Sequence, residues 1–374
     1  MAEPSIQDLL AGIEQPSRYL GIETNAVHKD HSRVDLHAVL AFPDLYDIGT
    51  SHFGMQILYH ILNQRPDTVA ERVFTPGVDM EARLRTLGRP LTSLESGIPL
   101  RKFDIIGFSL LYELNYTNIL TMLDLSNIAF LTAQRQENEP LIIAGGPCAC
   151  NPEPVADFFD AMLIGDGEAA VIAMVEKWLA WKKDGRKSRQ ALMRQWSEID
   201  GVYIPSFFKP MYDMKGLQHL EPKYTSYTRI RRTVVGNLDG AAFPSQPVVP
   251  FGRPIHDRLR LEVARGCTRG CRFCQAGMIY RPVRERSVQT LMNQTARALW
   301  HTGYEDLSLL SLSTGDYSCI ETLMQLLMDR CAGDHVAVSL PSLRAGTLTP
   351  ELMNLIKMVR KTGFTIAPEA GSQR

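Results

Sequence analysis

Cys267, Cys271 and Cys274 fall within eight residues, in the run Cys267-Thr268-Arg269-Gly270-Cys271-Arg272-Phe273-Cys274. A C-x3-C-x2-C spacing lets three thiolates converge on one iron–sulfur cluster or one zinc ion. Structural zinc ordinarily takes four ligands, commonly as two separated pairs. No second pair follows, since Cys319 and Cys331 lie on later elements at unrelated spacing. Three thiolates suit a [4Fe–4S] cluster whose fourth iron stays open to an exogenous ligand. The other two cysteines, Cys148 and Cys150, form a C-x-C far upstream. Seven cysteines in 374 residues, an odd count, are no disulfide framework.

The elements that must hold this triplet follow from the hydrophobic pattern. Residues 259–264 predict a strand directly before it, and helices at 288–302, 320–331 and 350–361 alternate with strands at 307–312, 336–340 and 364–367. Four strands and three helices in β/α order predict part of a β/α barrel, with its chemistry at the strand carboxyl ends. Upstream, apolar runs at 34–42, 104–111, 141–144 and 161–164 alternate with helical patterns at 55–63, 116–127 and 169–182. That order predicts a Rossmann-like parallel sheet covered on both faces, with ligands again at the strand carboxyl ends. Residues 1–30 are mixed and polar, with a short helical pattern at 6–14. Between 183 and 256 the character changes: a basic stretch at 182–194 reads as a solvated helix face, and candidate strands follow at 202–208 and 224–235. FPSQPVVPFGRP, residues 243–254, has four prolines in twelve positions and reads as a linker. The expected division is therefore 1–30, an α/β domain at 31–182, a linker region at 183–256, and a barrel at 257–374.

Composition excludes several classes. Apolar residues make up 45% and charged residues 22%, as in ordinary globular proteins, so a disordered, collagen-like or rod-like chain is excluded. Forty basic against 41 acidic residues give a net charge of −1, which argues against a chain-wide nucleic-acid footprint. MAEPSIQDLL is no signal peptide, and no run approaches the ~18 apolar residues of a membrane span. A cytoplasmic protein without a membrane partner is expected. Eight arginines (258, 260, 265, 269, 272, 281, 284 and 286) crowd the cysteines against Glu262 and Glu285. They either stabilise an anionic cluster and guide an acidic partner, or give a loop solubility and scattered ion pairs.

The C-x3-C-x-aromatic-C run, with Phe273 in the aromatic position after the first barrel strand, resembles the signature of the radical S-adenosylmethionine (SAM) superfamily. The resemblance implies that Cys267, Cys271 and Cys274 hold three irons of a [4Fe–4S] cluster while SAM chelates the fourth. One electron would then cleave the sulfonium to methionine and a 5′-deoxyadenosyl radical that abstracts a substrate hydrogen. An external reductant such as a flavodoxin or ferredoxin is implied as partner. Ser313-Thr314-Gly315-Asp316 ends the second barrel strand where the superfamily has a Gly-Gly-Glu-like motif for the SAM amino group. Thr replaces the first Gly and Asp the Glu, so Gly315 and Asp316 keep a shortened version. A helix N-cap from Asp316 or Ser318 is the structural alternative. Ser342 and Arg344 follow the third strand, and Arg344 suits a bidentate contact with the SAM carboxylate. Glu369 and Ser372 follow the fourth, with Glu369 resembling the residue that contacts the SAM ribose.

An α/β domain ahead of such a barrel resembles the cobalamin-binding domain of one large subgroup, which carries D-x-H-x-x-G, then S-x-L, then G-G. Here Ser109-Leu110-Leu111 and Gly145-Gly146 stand in the last two places. The first motif is absent: Asp47 and His52 are present in DIGTSHFG but not at that spacing, which leaves base-off binding without a His ligand. A domain kept for packing or substrate contacts is the alternative to cobalamin binding. FPDLYDIGTSHFGMQILYHILN, SLLYELNYTNIL, GGP…NPEP and CRFCQAGMIYRPVRERS together resemble a family of cobalamin-domain-type radical SAM proteins over most of the chain. The resemblance supplies no substrate. It implies a radical SAM enzyme, with cobalamin-dependent methyl transfer or nucleic-acid modification among the reactions. Methylthiotransferases need a third N-terminal cysteine, and Cys148 and Cys150 read better as small residues filling a turn. A non-catalytic metal-binding scaffold is the contrasting expectation. Because the superfamily's barrel usually has six β/α units, the chain is expected to be a fragment with an open sheet edge.

Overall fold

The apolar run LHAVLAF forms β1 (Leu36–Phe42), buried along nearly its whole length because neighbouring strands and covering helices enclose both of its faces. The computed structural model describes residues 9–252, 254–347, 349–356 and Ser372. The chain divides into two units, Met1–Val235 with Val248–Ile255, and Gly236–Pro247 with His256–Arg374.

In the first unit β1, β2 (Thr68–Phe74), β3 (Ile105–Ser109), β4 (Leu141–Gly145), β5 (Ala161–Leu163) and β6 (Val202–Tyr203) form one sheet in the order β2-β1-β3-β4-β5-β6. β1 to β5 run parallel and β6 antiparallel. The strand order reverses between β1 and β3, which makes their carboxyl ends a topological switch point, the usual ligand crevice of such sheets. Helices α1 (Phe53–Gln64), α2 (Val78–Leu87), α3 (Tyr116–Leu125), α4 (Glu168–Lys183) and α5 (Arg189–Trp196) accompany it. Trp178 and Trp196 are fully buried, and Trp196 Nε1 donates to the Met174 carbonyl at 3.0 Å.

β2 has no counterpart in the sequence reading, because Glu71 and Arg72 interrupt its apolar pattern. Both are buried. Arg72 lies between Glu23, at 3.0 Å, and Glu95, at 2.6 Å, while Glu71 accepts from Ser96 Oγ and pairs with His31, each at 2.6 Å. The exposed edge that β2 would present is capped as well. Arg72 N–H donates to Glu95 at 2.7 Å, Leu94 N–H donates to the Arg72 carbonyl at 2.8 Å, and the Asn63 amide bonds both backbone groups of Ala70.

Beyond α5, β7 (Phe208–Tyr212) and β8 (Gln218–Pro222) form a hairpin. Residues 224–235 are irregular where a strand was expected. β7 and β8 pair with each other and β6 pairs with β5, while Thr233 bridges Gly165 and the Tyr227 hydroxyl donates to the Val202 carbonyl at 2.5 Å. The described residues of the proline-rich stretch form no strand or helix; Val249 bridges Thr24.

In the second unit β9 (Leu259–Glu262), β12 (Asp306–Leu310) and β13 (Ala337–Ser339) are parallel, in the order β13-β12-β9. They alternate with α6 (Val288–Thr302), α7 (Ile320–Ala332) and α8 (Pro350–Ile356), the β/α order of a partial barrel. The strand predicted at 259–264 changes partner at Val263, so that β10 (Ala264–Arg265) pairs antiparallel with β11 (Arg284–Glu285). The strand expected at 364–367 lies outside the described residues. Among the described residues no helix is long and apolar enough to cross a membrane.

Candidate functional site

The β10–β11 pair makes residues 266–283 a closed loop at the carboxyl end of β9. Gly266 has φ +95°, and a Cβ there would lie 2.5 Å from the Tyr280 carbonyl and 2.6 Å from that of Pro282, so only glycine lets the two arms meet. Buried Arg284 braces the second arm, donating through Nε to the Pro282 carbonyl at 3.0 Å and through Nη2 to that of Tyr280 at 3.2 Å. Glu262 holds Arg265 with two bonds of 3.0 Å and Arg286 at 3.2 Å. Arg286, 1% exposed, also donates to the Leu238 carbonyl. Arg265, Arg284 and Arg286 therefore build the base of the loop, which accounts structurally for part of the arginine density.

On this base sit the three cysteines, Cys267 and Cys271 half-buried and Cys274 exposed. The Cys274 N–H donates to the Cys271 carbonyl at 3.1 Å, and the following helical turn brings Gly277 against the Cys267 carbonyl. Among the described residues no three His, Cys, Asp or Glu side chains are arranged to hold a single metal ion. Phe273 is 76% exposed.

Two later loops meet the cysteine loop. Asp316 ends the turn Thr314–Asp316 after β12 and accepts Nε of Arg269 at 2.6 Å, Nη2 of the same guanidinium, and Ser313 Oγ at 2.7 Å. The bonded Arg269 holds its carboxyl below the usual range despite partial burial. Arg344, after β13, places Nη1 3.9 Å from Cys271 Sγ. Gly315 lets these loops close, since a Cβ there would collide with Thr347 Oγ1. The Ser342 carbonyl accepts the Thr314 N–H at 3.2 Å, and Ser342 itself is exposed with φ +60°. The N-cap alternative for Asp316 and Ser318 is not what forms: Cys319 begins α7 without a side-chain cap, and Ser318 donates to Glu285 instead. Glu369 lies outside the described residues, and Ser372 is an exposed bend. The structure thus gathers Cys267, Cys271, Asp316 and Arg344, with Arg269 as the member that sequence reasoning passed over. The sequence marked it only by its place between two candidate ligands and as one of eight arginines around the cysteines.

In the first unit Ser109 and Gly145 pair in register at the carboxyl ends of β3 and β4. The Leu110 N–H donates to the Gly145 carbonyl at 2.7 Å. Gly146, at φ +113°, would bring a Cβ 2.7 Å from the Leu110 carbonyl, so close approach of the two loops requires it. Gly145 is different: a Cβ there would meet nothing nearer than 3.7 Å, so the protein's own packing does not demand glycine. Leu111 follows, half-buried. Asn115, also passed over by the sequence reading, is buried and donates to the Pro43 carbonyl at 2.6 Å and to Asp44 at 3.0 Å, locking the β1 and β3 loops together. His52 caps α1, accepting the Met55 N–H on Nδ1 at 3.1 Å, and rests against Phe42. Cys148 is buried beside Tyr116 and Glu113. Burial and the Glu113 charge push its thiol up against the lowering effect of the Tyr116 hydrogen bond, and burial with Cys148 and Glu113 pushes the Tyr116 hydroxyl up to about 12, so the thiol is protonated and inert at neutral pH.

Residues 54–205 match the family model described as radical SAM proteins, N-terminal. An uncharacterized protein of Methanocaldococcus jannaschii is 31% identical over 297 residues, covering 78% of this chain and 55% of that protein, so the chain spans about half the length of this relative. Among solved structures, the radical SAM methyltransferase TsrM from Kitasatospora setae, with cobalamin and a [4Fe–4S] cluster bound, is similar with a TM-score of 0.50 and 12% identity, over 87% of this chain and 57% of that one. The cobalamin-dependent SAM radical enzyme OxsB, with aqua-cobalamin and SAM bound, gives a TM-score of 0.48 and 15% identity over 82% of this chain and 38% of that one. The likeness to TsrM is one of fold. Residues 54–205 thus carry the N-terminal domain of radical SAM proteins, and a C-x3-C-x2-C loop ends the first strand of the second unit's β/α sheet.

Proposed function

We propose that this chain is a radical SAM enzyme in which Cys267, Cys271 and Cys274 hold a [4Fe–4S] cluster and the loops after β12 and β13 receive SAM. The observation that carries the reading is the convergence of Arg344 and the Arg269–Asp316 pair on the cysteine loop. The donor set fits: three soft thiols on one loop for iron, a carboxylate for an ammonium group and a guanidinium for a carboxylate. When bound, the cluster supplies the electron that cleaves the SAM sulfonium to methionine and a 5′-deoxyadenosyl radical. The protein's part is to bind and orient. A carboxylate has about four lone-pair positions. Arg269 and Ser313 use three on Asp316, which leaves one on Oδ1 for the SAM amino group. Gly315 and Ser342 shape the backbone around it, Phe273 flanks the cluster, and Glu369 and Ser372 would complete the SAM site. An external one-electron donor of the flavodoxin or ferredoxin kind is the expected partner. Anaerobic reconstitution followed by dithionite and SAM tests the reading: 5′-deoxyadenosine and methionine are expected in equal amounts, and intact SAM beside a reduced cluster would overturn it.

A second reading, cobalamin-dependent methyl transfer, is favoured by Gly145. A Cβ at this end of β4, next to the switch-point strand β3, would meet only ordinary contacts, and the bare backbone is a cradle that a corrinoid's nucleotide tail would fill, with Ser109, Leu111 and Gly146 beside it. His52 is committed to its helix cap, so binding would be base-off without a histidine ligand. Titration with hydroxocobalamin, read by the corrin spectrum, tests it.

A further inference from the structure

Arg269 does more than its place in the motif requires. It sits two residues after Cys267 on the cysteine loop, yet its guanidinium forks onto Asp316 at the end of β12, 47 residues along the chain. Its main-chain N–H donates to Cys267 Sγ at 3.5 Å. One residue therefore touches a candidate ligand sulfur through its backbone and a neighbouring strand end through its side chain. The pair is partly open to water, the setting in which ion pairs add little to folding stability. Its removal should leave the second unit folded. The guanidinium also stands within electrostatic reach of both the Cys267 and Cys271 sulfurs, whereas Asp316 is governed by Arg269, Ser313 and Arg344.

We propose that Arg269 is a positioning residue for the iron–sulfur cluster, acting through its fork on Asp316 to fix the cysteine loop and through its charge to favour the reduced cluster. This rests on the reading that the three cysteines hold the cluster. Reduction adds one negative charge to the cluster, and a cation within electrostatic reach favours that state. The two actions separate in variants. Arg269→Gln removes the cation and leaves the Asp316 anion unpaired. Asp316→Asn removes the anion and keeps the cation, while Arg269→Lys keeps the charge but loses the bidentate fork.

The test is spin-resonance-monitored redox titration of the anaerobically reconstituted chain without SAM, beside iron release to a chelator. All three variants should release iron faster than wild type. Arg269→Gln alone should lower the midpoint potential, by about 59 mV for each tenfold shift in the one-electron equilibrium. Asp316→Asn and Arg269→Lys should stay at or above the wild-type value. A purely structural clasp would move the potential of all three variants alike, and that result overturns the proposal, as does an Arg269→Gln potential equal to wild type. A wild-type chain that takes up no [4Fe–4S] cluster overturns the reading beneath it and the proposal together.

Discussion

Arg344, beyond the third strand of the second unit, places its Nη1 3.9 Å from the sulfur of Cys271, on the loop that follows the first strand. The two loops are 73 residues apart in sequence, and only the parallel order β13-β12-β9 brings their strand ends to one side. On the proposed reading this guanidinium would serve the carboxylate of a cluster-bound SAM. Arg344→Gln should keep the cluster and weaken SAM binding roughly tenfold or more, the worth of one hydrogen bond to a charged group, about 1.5–3 kcal/mol. SAM titration of the reduced cluster's spin-resonance signal measures it. Unchanged affinity would remove Arg344 from the SAM site.

Gly145 and Gly146 are adjacent and should respond in opposite ways. Gly146→Ala places a side chain at φ +113° and against the Leu110 carbonyl, and should cost about 1–3 kcal/mol or more in urea denaturation. Gly145→Ala meets only ordinary contacts and should leave stability unchanged or raise it by up to about 1 kcal/mol. If the cradle reading holds, this second variant loses corrinoid binding while staying folded. Equal destabilisation by both would make Gly145 a packing residue.

The buried Arg72 answers two carboxylates, Glu23 and Glu95, both almost without solvent access. Arg72→Met leaves two anions without a counter-charge and should destabilise the first unit by about 3–5 kcal/mol. Chemical denaturation followed by tryptophan fluorescence reports it through Trp178 and Trp196 in the core of that unit. A loss below about 1 kcal/mol would show that water reaches these groups on substitution.

His37 and Asp104 give the first unit a pH dependence. The Asp104 hydrogen bond raises the His37 pKa against the opposing effect of burial. For Asp104 burial acts upward, but bonds from His37 and the nearby Arg186 hold its carboxyl below the usual range. A histidine whose folded pKa exceeds its unfolded value near 6.5 stabilises fully below that value and loses the contribution as pH rises through the folded pKa. The depressed Asp104 works the other way, losing its contribution as pH falls below the unfolded value near 4. His37→Gln should therefore be most destabilising between about pH 4 and 6.5 and converge on wild type in alkali. Denaturation midpoints across that range check it, and a pH-independent difference would contradict it.

Much of the architecture was legible because parallel strands buried on both faces read as short continuous apolar runs. LHAVLAF, DIIGFSLL and LIIA gave β1, β3 and β4 for that reason. TVAERVF did not, since its central Glu-Arg is compatible with a buried edge through Glu23, Glu95, Ser96 and His31, which no local pattern reveals. Residues 224–235 failed in the opposite sense, offering strand-like residues of which Thr233 makes an isolated bridge to Gly165. At the site, the cysteine triplet and the glycines were visible because their chemistry is local. The Arg269–Asp316 and Asn115–Pro43 contacts join segments 47 and 72 residues apart, and spacing along the chain carries no trace of them.

The most direct test of the account is the low-temperature spin-resonance spectrum of the reduced, reconstituted chain before and after SAM is added. The account predicts a [4Fe–4S]1+ signal in wild type that changes shape when SAM takes the open iron, and loss of that cluster in Cys271→Ala but not in Cys319→Ala. A cluster signal indifferent to SAM, or one that survives in Cys271→Ala, would contradict it.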